Sequence, residues 1–121
     1  MTKPALPPII FLRPVGPRLD MAAAPQFSAR LSDVLDAAPA IIVDLSEMTF
    51  IDSSGLGCIM AARRRLPPGC LILAGVREPV LTLLRLCRLD DVLVLADTPS
   101  TAERLAHDAL KRASASKEST A

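Results

Sequence analysis

Asp52, Ser53 and Ser54 stand in a row where an apolar run passes into a helical pattern, and Gly55-Leu56-Gly57 follows (TFIDSSGLGCIM, 49–60). A hydroxyl at a helix N-terminus lies beside unpaired N–H donors and the positive end of the macrodipole, where an added phosphate is tolerated or stabilised. Phosphorylation there adds about −1.5 to −2 charges to a chain of formal charge +1. Asp52 would repel that phosphate, and an apolar or acidic partner surface would be disfavoured. Such a change abolishes docking without unfolding a domain. The ordinary reading is that Asp and Ser before a helix are N-caps, satisfying the free N–H groups of the first turn at ~1 kcal/mol. Two features exceed it. One cap uses one side chain, yet three capping types stand together. Gly55 and Gly57 weaken the helix by ~1 kcal/mol each against alanine, which makes sense where another backbone or a partner comes very close.

Other chemistries lack their partners. A serine hydrolase needs a base, but the single His107 reads as a solvated helical residue and no Gly-x-Ser-x-Gly elbow exists. No Gly-Lys-Ser/Thr follows Gly55 and Gly57, which disfavours a phosphate loop. Asp44 ends an apolar run like a response-regulator acceptor, yet that chemistry uses a lysine after a later strand, and only Lys3, Lys111 and Lys117 are present. Cys58, Cys70 and Cys87 are odd in number and set in apolar sequence. They read as buried free thiols of a cytoplasmic protein. Arg63-Arg64-Arg65 complements a helix C-terminus, with Arg64 and Arg65 the better candidates for a protein contact. No metal, cofactor or catalytic residue is expected.

Composition narrows the partners. A chain of 121 residues with 50% hydrophobic residues is one globular domain. Phe11, Phe27 and Phe50 are its only aromatics, so the core is aliphatic and no base-stacking platform for single-stranded nucleic acid exists. The small net charge supplies no field for nucleic acid or an acidic membrane. No apolar run reaches the roughly 18 residues of a membrane span, and the N-terminus lacks a signal-peptide core.

The elements that position Asp52 to Gly57 follow from periodicity. Six of the eleven prolines lie in the first 25 residues, so 1–8 reads as a flexible lead. Strands are expected over 9–12, 40–45, 70–74 and 92–95, each a short apolar run of the kind buried in a sheet. Helices are expected over 21–38, from the serines through Leu66 with Leu56, Ile59, Met60 and Arg63 on one side, and from Glu78-Pro79 with Val80, Leu83, Leu84 and Cys87 on one face. A last helix starts at Thr98-Pro99, where Ser100 and Glu103 offer a capping box. From Ala113 the sequence reads as a disordered tail. Alternation with short connections gives an α/β class, a mostly parallel sheet with about four helices, folded over 9–112.

Three segments carry a family resemblance. The Ile41-to-Leu45 strand, Phe50-Ile51-Asp52-Ser53-Ser54-Gly55-Leu56-Gly57 and the Pro79-to-Leu89 helix resemble a STAS domain, with the bacterial anti-sigma-factor antagonists the nearest group. Gly16, Leu19 and Asp20 resemble that family's G-x-L-D turn. The likeness spans roughly 9–110. It implies a regulator, not an enzyme, that binds an anti-sigma factor while unphosphorylated and so releases a sigma factor. That partner is also a serine kinase of the histidine-kinase-like ATPase fold. It phosphorylates the serine after the Asp, and a PP2C-type phosphatase reverses the step. By position, Ser53 is the phosphoacceptor and Asp52 orients its hydroxyl or assists its approach to ATP. Ser54 caps the helix or lines the surface, and Gly55 and Gly57 admit the partner. Asp20 and Leu56 complete the partner-binding set.

The chain also departs from the family pattern. Only eight proline-rich residues precede Ile9, so the first family strand is short or missing. That exposes a sheet edge, a candidate for homodimer formation. Pro17-Arg18 replaces a commonly acidic position, and Arg88 stands where the family often has Gly. An alternative function is a constitutive STAS subunit of a lipid-transport ABC or stressosome-like assembly, docking through the same surface without phosphorylation. The intact Asp52-Ser53-Ser54 favours the switch.

Overall fold

The computed structural model describes residues 9–119; the expected lead at 1–8 and the last two residues, 120–121, lie outside the described residues. In chain order the elements are β1 (Ile9–Leu12), β2 (Arg18–Leu19), α1 (Ala24–Leu35), β3 (Ala40–Asp44), β4 (Phe50–Ile51), α2 (Ser53–Arg64), β5 (Leu71–Ala74), α3 (Glu78–Leu86), a 3-10 turn (Leu89–Asp91), β6 (Val94–Ala96) and α4 (Pro99–Ser119). The expected α/β class holds. β1, β3, β5 and β6 form one sheet in that order, each neighbouring pair parallel, with Ile9 opposite Ala40, Ile41 opposite Leu71 and Ile72 opposite Val94. Among the described residues β1 and β6 are the sheet edges.

Strand alternation divides the core in two. Leu12, Ile41, Val43, Leu71 and Leu73 face one way and meet Phe27 and Leu31 of α1, Ile59 and Ala62 of α2, and Val80 and Leu84 of α3. Ile9, Ala40, Ile42, Cys70 and Ile72 face the other way and meet Ala102, Ala106 and Ala109 of α4. Those alanines recur at four- and three-residue steps, so one stripe of small side chains lies against the sheet. β3 is buried at every position. Full burial of each of its isoleucines and its valine contributes roughly 1.5–3 kcal/mol.

Several expectations are corrected. α1 begins at Ala24 rather than Met21, because Asp20 holds the intervening residues in a turn, its carbonyl accepting from Ala23 N and Ala24 N (3.1 and 2.8 Å). β6 begins at Val94 rather than Val92, since Val92 N and Leu93 N both donate to Leu89 O in the 3-10 turn (3.0 and 2.8 Å). Thr98, not Ser100, caps α4: its Oγ1 accepts from Thr101 N at 3.1 Å. α4 runs on to Ser119, past the Ala113 at which the sequence reading starts a disordered tail. No glycine or proline between those residues stops it. Cys70 is buried, and burial pushes its thiol up; Cys58 is half-buried and Cys87 is exposed, contrary to expectation. A two-residue parallel ladder, β2 with β4, was not anticipated.

Candidate functional site

The β2–β4 ladder creates the site. Arg18 lies opposite Phe50 and Leu19 opposite Ile51. Pro17 O accepts from Thr49 N at 2.7 Å, and Leu19 O accepts from Asp52 N at 3.3 Å. Two segments some thirty residues apart, 16–20 and 49–57, thus become one hydrogen-bonded unit. The unit sits where α1 and α2 both begin.

Asp52 joins them. Its backbone is extended (φ −116°, ψ −172°) and its carboxylate is the N-cap of α2. Oδ1 accepts from Ser54 N at 2.9 Å and Gly55 N at 3.1 Å, while Oδ2 accepts from Met21 N at 3.0 Å. Both oxygens are therefore engaged by backbone donors, a cap of about 1 kcal/mol with a tether to the opposing loop. Of the two roles expected for Ser54, capping the helix or lining the surface, the first is corrected: Ser54 is half-buried and its own N–H donates to the cap. Asp20 performs the matching task for α1, its Oδ1 accepting from Ala22 N and Ala23 N (3.1 Å each). Those N–H groups, the Ala23 bond foremost, and Arg18 hold the Asp20 carboxyl below the usual carboxylate range.

The two glycines separate. A Cβ on Gly55 would collide with Leu19 O, and would come within 2.8 Å of Leu19 Cγ and 2.9 Å of Ile51 Cγ1. Gly55 is buried and serves the packing of α2 on the ladder, not the approach of a partner. A Cβ on Gly57 would meet nothing within 4 Å. Ser53 and Gly57 are both exposed and stand four residues apart, on one face of the helix. The buried face consists of Gly55, Ile59 and Ala62, so the expected set is turned: Leu56 and Met60 are half-buried and Arg63 is exposed.

Sequence reasoning missed the flank of this surface. The Arg18 guanidinium lies 4.0 Å from the centroid of the Phe50 ring, itself 38% exposed, and Met21 beside Asp52 is 74% exposed. The only sequence signal was Pro17-Arg18 at a commonly acidic position. A two-residue strand has no period from which to read Phe50's outward direction.

At the C-terminal ends of β1 and β3, Arg13 bridges Asp44 (2.8 Å) and Glu47 (2.7 Å). Burial pushes the Asp44 carboxyl up, but hydrogen bonds from Ser46 and the Arg13 guanidinium outweigh it and hold it below the usual range. This is a clamp between strands. Among the described residues no group of three or more His, Cys, Asp or Glu could hold a metal ion. His107 is exposed on α4, 3.9 Å from Glu103.

Ser53 is thus exposed directly after the capping Asp52, which Met21 N ties to the loop that follows Gly16, and the STAS domain family matches residues 1–102. The chain belongs to the STAS family. Its fold recurs in an anti-sigma factor antagonist from Mycobacterium paratuberculosis at 26% identity, with a TM-score of 0.68 over 76% of this chain and 80% of that one. The tm1081 protein of Thermotoga maritima matches at 23% identity and a TM-score of 0.73, over 86% of this chain and 92% of that one. The Bacillus protein SpoIIAA in its phosphorylated form matches at 21% identity and a TM-score of 0.59, covering 85% and 96% respectively. No curated protein sequence matches this STAS domain. Among its described residues no helix is long and apolar enough to cross a membrane.

Proposed function

We propose that this STAS domain is an anti-sigma-factor antagonist switched by phosphorylation of Ser53. In the unphosphorylated state it docks an anti-sigma factor that is also a serine kinase, and thereby releases a sigma factor. Phosphate transfer from ATP to the Ser53 hydroxyl ends that docking, and a PP2C-type phosphatase restores it. The observation that carries this reading is the division of labour at the start of α2. Asp52 occupies the donors of Ser54 and Gly55, so a phosphate on Ser53 finds those N–H groups taken and stands beside a carboxylate. The phosphate then projects outward without rearranging the helix, and a partner seated over Ser53 and Gly57 meets about two added negative charges. Gly57 leaves room there, with Leu56 half-buried beside it. Asp20 acts through the turn it holds.

Phosphosite mapping with the purified kinase and ATP tests the assignment. Wild-type protein gains one phosphate, located on Ser53, and Ser53→Ala gains none. Stoichiometric phosphorylation of Ser53→Ala overturns the site. Co-purification from the native host with a membrane-transport ATPase, and no kinase, overturns the function in favour of a constitutive subunit.

A further inference from the structure

The opposite end of α2 carries a second surface that the Ser53 switch does not use. Three consecutive arginines end the helix and they have different fates. Arg65 pairs with Asp36 at 2.9 Å, tying α2 to the end of α1. Arg63 donates from Nε to Val92 O at 3.2 Å, leaving its terminal nitrogens for another group. Arg64 is exposed. Arg63 and Arg64 line a cleft of about 230 Å³ together with Leu66, the Pro67-Pro68-Gly69 turn, Leu71, Val92 and Val94. Among the described residues no carboxylate lines it. Val92, on the rim, is 39% exposed.

We infer that this cleft is a second docking site, which takes a short acidic segment of a partner protein with an aliphatic side chain between its carboxylates. The charge decides the class of occupant. Two guanidiniums with no acid among the lining residues favour carboxylates, which they bind through forked hydrogen bonds. Among the described residues neither guanidinium is taken up in an ion pair of the fold. The apolar lining decides the rest. Leu66, Pro67, Leu71, Val92 and Val94 offer a small apolar seat that a bare phosphate cannot use but one leucine or valine side chain can. Because α2 is 12 residues long, the cleft lies roughly 16–18 Å from Ser53 at 1.5 Å per residue. Both sites can be occupied at once.

The test uses the full chain, isotopically labelled, and the synthetic peptide Asp-Glu-Leu-Glu-Asp. Binding shifts the amide resonances of Leu66, Gly69, Val92 and Val94 and weakens as salt is raised. Arg64→Glu lowers affinity at least tenfold, whereas Arg77→Glu, an exposed arginine before α3, leaves it unchanged; circular dichroism confirms that both variants fold. A peptide with Ser in place of Leu binds more weakly. Equal loss in both arginine variants, equal binding of the Ser peptide, or displacement of the peptide by inorganic phosphate at matched ionic strength overturns the inference. So does a dimer, seen by sedimentation, that Arg64→Glu dissociates, since a second copy would then be the occupant.

Discussion

Gly55→Ala and Gly57→Ala make the same chemical change two residues apart, and their surroundings assign them opposite signs. Alanine is worth about 1 kcal/mol over glycine in a helix interior, so both substitutions begin with that gain. At position 57 nothing within 4 Å opposes it, and the variant is more stable by about 1 kcal/mol. At position 55 the new methyl meets a backbone oxygen, Leu19 O, and two core carbons within 2.9 Å. Leu19 O also accepts from Asp52 N, so moving the β2 backbone away stretches the bond that locks the two halves of the site. Overpacking of this kind costs roughly 1–3 kcal/mol or more. The upper end, about 3 kcal/mol, applies because the nearest atom is backbone; after the helix gain Gly55→Ala is destabilised by about 2 kcal/mol, so the two variants differ by about 3. With an unfolding entropy of roughly 2.1 cal/mol/K per residue over 121 residues, that difference is about 12 °C in Tm. Urea and thermal unfolding followed by far-UV circular dichroism read it directly. If both variants shift in the same direction, or Gly55→Ala matches wild type, the close approach of α2 to β2 is wrong.

Two further outcomes follow from backbone strain and from charge. Arg88 is held at φ 58°, ψ 25°, the left-handed region, which costs an L-residue about 1–2 kcal/mol. Arg88→Gly therefore raises the urea midpoint, with a gain of about 0.5–1 kcal/mol after glycine's own entropy cost. Asp44 and Asp20 have carboxyls held below their ordinary range in the fold. Their contribution is present above the unfolded-state pKa, near 3.9, and is lost as pH falls through the lower folded value. Stability measured from about pH 6 to pH 2 declines on the acid side, and Asp44→Asn makes that decline shallower; an unchanged slope contradicts the clamp.

Much of this was legible in the residues, for physical reasons. Ile41, Ile42 and Val43 form a run that belongs only in a doubly covered strand, and Phe27 with Leu31 gave α1 its buried face. That Ser53 opens α2 was legible because a hydroxyl after an acid at a helix start is a local feature. Features that depend on distant contacts were not. Arg18 and Phe50 are 32 positions apart and meet in strands of two residues, too short to show alternation. Gly55 has no side chain to enter a hydrophobic period, yet it is the buried residue that sets how α2 turns. With Asp52, Ser53 and Ser54 adjacent, only geometry could select the cap. The strain at Arg88 depends on a backbone angle that composition does not encode.

The central claim is that a phosphate on Ser53 acts on docking and leaves the fold alone. It is tested most directly by titrating the anti-sigma kinase with the unphosphorylated and the Ser53-phosphorylated protein, with the Tm of both forms measured alongside. The account predicts affinity at least about 100-fold weaker for the phosphorylated form, the order expected when like charge meets an interface, with Tm changed by no more than about 2 °C. Equal affinity for the two forms contradicts it, as does a loss of binding that accompanies unfolding of the phosphorylated domain.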